Sequence, residues 1–127
     1  MKYNIRDLAG ELLDAAVVKA TPGFAWGDDV PMPSESWADC GLMMDEFHIS
    51  PHYHLFGIDP PHKVCSATFC GEEYSRKLLS AYRNSGGVTP VTERYRWHGF
   101  QAVGATAQQA VCRLVVSAVF GDEVELP

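Results

Sequence analysis

The segment 106–121 constrains the fold more than any other part of this sequence. Thr106 and Gln109 stand at capping-box spacing, and Gly121 supplies a helix stop. Between them, Ala107, Ala110, Val111, Leu114, Val115 and Ala118 form one apolar face. Cys112, Val116, Val119 and Phe120 then widen the apolar arc, leaving Gln109, Arg113 and Ser117 as its main polar positions. A helix lying on a protein surface needs an apolar stripe over only part of its circumference. This one is expected either to be buried on two sides within its own domain, which is the favoured reading, or to pair with a second copy, giving a homodimer through the helix around Leu114.

A second amphipathic helix is expected at residues 4–20. Leu8, Leu12, Leu13, Ala16, Val17 and Ala20 make its apolar side, Asp7, Glu11 and Asp14 its polar side, Asn4 its cap, and Thr21, Pro22 and Gly23 its stop. Residues 21–36 are rich in Pro, Gly and Asp around Trp26 and read as a loop. A short helix or turn follows at 37–47, then a strand at 48–58 interrupted by Pro51, and another at 63–70. Residues 72–83 read as a third helix, with Glu72/Arg76 and Glu73/Lys77 as i,i+4 pairs, and 91–98 as the most regular strand. The sum is an α+β fold: one domain over residues 1–127, with a small antiparallel sheet packed by N-terminal and C-terminal helices and a third helix in the middle segment.

Composition bounds the function classes. A chain of 127 residues with an apolar fraction of 46% can bury one core, and no stretch approaches the roughly 20 apolar residues that span a bilayer. No membrane association is therefore expected. The first residues lack the apolar run of a signal peptide, so the chain is expected to stay in the compartment where it is made. A formal charge of −6 disfavours a nucleic acid polymer as partner. Cys40, Cys65, Cys70 and Cys112 read as reduced, mostly buried thiols.

Three stretches in their order and spacing carry a resemblance. They are the helix containing Leu8, Gly10, Glu11, Leu12, Leu13, Asp14, Ala16 and Val17; the run Ser34, Glu35, Ser36, Trp37, Ala38, Asp39, Cys40, Gly41, continuing to Asp45; and Gly104, Ala105, Thr106 leading through the apolar helix to Gly121, Asp122, Glu123 and Val124. Together they resemble the NinX-like family of small phage proteins, with Cys40 and Leu42 departing from the family's usual Gly and Pro. The resemblance implies a phage or prophage accessory protein acting in the cytoplasm of the infected bacterial host. It supplies no catalytic residues.

Several constellations invite a chemical reading. His48, His52, His54 and His62, followed by Cys65 and Cys70, offer imidazole and thiolate ligands, and a strand would put His52 and His54 on one face. Their spacing matches no familiar zinc motif, so polar loop histidines are the preferred interpretation and no metal or other cofactor is expected. A Cys/His nucleophile is conceivable from the inventory alone, but nothing in the sequence sets a thiol beside a base, so no catalytic residue is assigned.

The ligand-binding candidates are Arg94, Arg96 and His98 on one face of the 91–98 strand, Trp97 on the opposite face, and Trp26 in its loop. Cationic donors near aromatic rings suit a small anionic, nucleotide-like ligand, although a half-buried strand with a wet outer face shows the same alternation. Trp37 and Asp39 read as a structural motif.

The expectation is a non-catalytic binding protein that sequesters a nucleotide-like host defence signal or engages a host protein. The alternatives are a small metal-dependent or Cys/His hydrolase and a homodimeric assembly protein.

Overall fold

A computed structural model describes residues 1–27, 29–56, 62–70, 73 and 102–127, the side chains of 54–56, 62 and 63 excepted. The elements run β1 (Lys2–Asn4), a 3-10 turn (Ile5–Asp7), α1 (Gly10–Ala20), α2 (Trp37–Phe47), β2 (Ile49–Phe56), β3 (His62–Phe69), β4 (Ala102–Gly104), α3 (Ala107–Phe120) and β5 (Glu123–Glu125). The protein is a small α+β fold with two antiparallel sheets, β1-β5 and β2-β3-β4. Glu73 is helical, but the rest of the expected helix at 72–83 and the whole strand at 91–98 lie outside the described residues.

α3 is the centre of the molecule. The apolar residues of both its faces are buried, with Leu114, Val115 and Val116 wholly inaccessible. α1 packs on one side, β3 and β4 on another, and α2, β2, β5 and the 3-10 turn cover what remains. The broad apolar arc is thus used within one chain, and the helix around Leu114 has no apolar face left for a homodimer. Its start follows the sequence pattern: Thr106 Oγ1 accepts from Gln109 N at 3.1 Å, and Gln109 Oε1 accepts from Ala105 N at 2.8 Å. Gly104 sits against this turn so closely that a Cβ there would lie 2.8 Å from Ala110 N, which is why the junction between β4 and α3 carries a glycine.

The N-terminal helix is shorter than its periodicity predicts. Asn4 Oδ1 accepts from Arg6 N at 3.2 Å, so Asn4 caps the 3-10 turn and not α1. Ile5 N donates to Asp122 O at 2.9 Å, anchoring that turn to the chain beside β5. Leu8 then adopts extended backbone with its side chain fully buried, and α1 begins at Gly10 without a side-chain cap. The long-range bond from Ile5 N draws the first turn away from the helix axis.

β2 and β3 form a hairpin in register from Ile49↔Phe69 to Phe56↔His62. Cys65, Ala67 and Phe69 point into the core at period two. Pro51 stands opposite Ala67 without interrupting β2, because β2 is an edge strand among the described residues and a missing N–H is tolerated there. At the other sheet, the N-terminal ammonium donates to Glu125 Oε1 and to Leu126 O at 2.8 and 2.7 Å. The first of these bonds holds the Glu125 carboxyl below its ordinary pKa.

Candidate functional site

The site grows out of two buried carboxylates. Asp14 belongs with the polar side of α1 in the sequence pattern, yet it is only 7% exposed. It lies on the same helical row as Val17 and Thr21, both inaccessible or nearly so, and its Oδ1 accepts from Ser34 N at 2.8 Å. Asp39, in the first turn of α2, is 2% exposed, and its Oδ2 accepts from Met32 N at 2.9 Å. Ser36 caps α2 by accepting from Asp39 N at 3.3 Å, while Met32 O receives Glu35 N and Ser36 N. A loop without periodicity is therefore fixed near its C-terminal end, at Met32 and Ser34, by side chains from two helices.

This fixation sets Val30, Pro31 and Met32 across from Ala15 and Val18 of α1. Leu126 and Pro127 close the third side, held by the paired bonds between Met1 and Leu126 and by Lys19 Nζ donating to Glu125 O. The result is a cleft of about 690 Å³ with mostly aliphatic walls, within the roughly 300–1,000 Å³ of ordinary ligand sites. Its charged side chains among the described residues are Glu11, Asp14, Asp29 and Lys19. Lys19 is already engaged with the Glu125 carbonyl and lies 5.8 Å from the centroid of the Phe120 ring.

The residues singled out from the sequence fall elsewhere. Arg94, Arg96, Trp97 and His98 lie outside the described residues. Trp26 does not line the cleft: it is partly buried against the core, its ring 4.6 Å from that of Phe24, which in turn lies 5.9 Å from Phe47. Trp37 is 52% exposed at the start of α2, whereas Asp39 two residues later is the buried loop anchor. Sequence reasoning did not find the cleft. The one available signal was Asp14 on a row of buried positions, a polar residue whose partner had to come from a distant loop.

Of the histidines, His48 caps the end of α2 in left-handed backbone (φ 50°), and His52 is exposed on β2. Among the described residues no three His, Cys, Asp or Glu side chains are grouped as metal ligands. Cys40, Cys65 and Cys112 are buried, Cys70 is exposed, and all four are free thiols. A hydrogen bond with Cys40, reinforced by burial, raises the Cys112 thiol well above its ordinary pKa, so it stays protonated and unreactive at neutral pH. Titration of the native protein with a chromogenic disulfide is expected to show one fast thiol, Cys70, with the other three reacting only on unfolding. A second fast thiol, or a Cys70→Ser variant that keeps the fast phase, would contradict this placement.

No helix among the described residues is long and apolar enough to cross a membrane. No protein-family model matches the chain, and no curated protein matches it in sequence.

Proposed function

We propose that the protein acts by non-catalytic binding and that the cleft beside α1 is where the partner group docks. The observation that carries this reading is the cleft itself: a concave, aliphatic surface of ligand-site size, whose loop wall is held in place by hydrogen bonds to the buried Asp14 and Asp39. In the setting implied by the NinX-like resemblance, the protein is a phage accessory factor and the partner a component of the infected host. A nucleotide-like anion does not suit this cleft, whose rim carries Glu11 and Asp29. Such a ligand would have to be held by Arg94 and Arg96, outside the described residues.

Two-dimensional NMR with cyclohexanol as a neutral aliphatic probe tests the reading. Saturable shifts are expected at the amides of Ala15, Val18, Val30 and Met32. Ala15 is exposed, so Ala15→Trp should fill the cleft, abolish these shifts and change stability by no more than about 0.5 kcal/mol. Absence of saturable shifts in the unsubstituted protein, or their persistence in Ala15→Trp, would remove the cleft as a binding site.

A further inference from the structure

We infer that the occupant of this cleft is an aliphatic segment of another protein carrying Lys or Arg next to its apolar side chains. The inference rests on the binding reading above and adds the chemistry of the partner.

The walls supply the first half of the argument. Val18, Val30 and Met32 are 40%, 75% and 46% exposed, and they converge on one cleft. Single exposed apolar residues are ordinary, whereas a convergent set facing a concavity marks a contact surface. Met32 adds a polarizable, unbranched side chain that adapts to varied aliphatic shapes. Pro31 has no N–H to offer, so that stretch of wall recognises shape more than hydrogen-bonding groups.

The degree of enclosure selects the kind of occupant. Sites for small molecules cover most of their ligand's surface. This cleft is walled on three sides, by α1, by residues 29–32 and by Leu126 and Pro127, and opens to solvent elsewhere, so a free small molecule would be left partly uncovered. A peptide segment suffers less, because its own chain continues beyond the cleft and only its anchoring side chains need to be enclosed.

Charge selects the sign. Glu11 and Asp29 are exposed at the rim, the Asp14 carboxylate lies behind them, and the one cation among the described lining residues, Lys19, is committed to the Glu125 carbonyl and the Phe120 ring. The chain as a whole carries −6. Basic residues flanking the apolar anchors would meet complementary potential on approach, and acidic partners would be repelled. The same argument disfavours a second copy of this chain and an anionic lipid surface, both of which would bring negative charge to a negative rim.

The test uses two blocked synthetic hexapeptides of alternating Leu and Lys or alternating Leu and Glu, titrated into the full chain and followed at the amides of Ala15, Val18 and Val30. Two weak surface ion pairs predict that the basic peptide binds about five- to tenfold more tightly at low salt. That preference should shrink as salt is raised and fall to within about twofold in an E11Q/D29N double variant, whose two sites are both exposed. Equal affinity for the two peptides, or a preference that survives E11Q/D29N, would overturn the inference. If cyclohexanol still binds in that case, only the partner's chemistry is wrong; if it does not, the cleft itself is no site.

Discussion

Replacing Leu114 by Ala is expected to destabilise the protein by about 2–5 kcal/mol, in the upper half of that range. Leu114 is wholly inaccessible at the middle of α3, and α3 is flanked by elements from every part of the described chain. The cost of such a truncation depends on how far the surroundings collapse into the space. A site enclosed by two helices and a sheet, each already packed on α3, has little room to do so. The total stability of a domain this size is about 5–15 kcal/mol, so the loss should appear as a large drop in urea midpoint at unchanged slope. Leu12→Ala makes the control: Leu12 is 41% exposed on α1, and its truncation should cost well under half as much. Comparable losses at the two positions would mean that α3 is not the centre of the core.

The second large effect is expected at Arg113, the main polar break in the α3 surface. Its Nε and Nη2 donate to Leu8 O at 3.2 and 2.9 Å, and its Nη1 donates to Val103 O at 2.9 Å. One guanidinium thus ties the start of the chain and the edge of the three-stranded sheet to the same turn of α3. Burial lowers its pKa, with Asp7 opposing that shift, but an arginine remains charged throughout the accessible pH range. Arg113→Met keeps most of the aliphatic stem and removes every donor, leaving the Leu8 carbonyl without this partner in a half-buried position. A loss of about 1–3 kcal/mol follows. Arg113→Lys should recover little of it, because a single ammonium cannot span two carbonyls that the planar fork reaches together. Full recovery by lysine in the same denaturation assay would show that charge, and not the fork, is what this position requires.

These two positions also mark what the sequence could and could not disclose. The all-round apolar character of residues 107–120 announced burial on two sides, and its cap and stop are where Thr106 and Gly121 indicated. β2 and β3 follow from their β-rich composition. The break between the 3-10 turn and α1 was not legible, because Leu8 and Asp7 continue the helical pattern. The chain leaves that pattern where Ile5 N bonds to Asp122 O and the Leu8 carbonyl is taken by Arg113. The cleft was hidden for the same reason. Its loop wall exists through hydrogen bonds that Ser34 N donates to Asp14 and Met32 N to Asp39, and periodicity carries no information about a carboxylate's distant partner. Trp26, prominent in a Pro/Gly-rich loop, proves to pack on Phe24, a contact that residue spacing did not indicate.

Placing the central helix after most of the other elements has a consequence for synthesis. While the ribosome is still making residues 1–106, α1, α2 and the β2–β3 hairpin, which bury Leu13, Met43 and Phe69, lack the one described helix that contacts all of them. That helix is α3, and several of its ties reach back more than a hundred residues, as from Arg113 to Leu8. Such non-local closure is slow, and it leaves apolar faces uncovered until it is made. The nascent chain should therefore remain protease-sensitive until residues 107–120 have cleared the exit tunnel, and become resistant then.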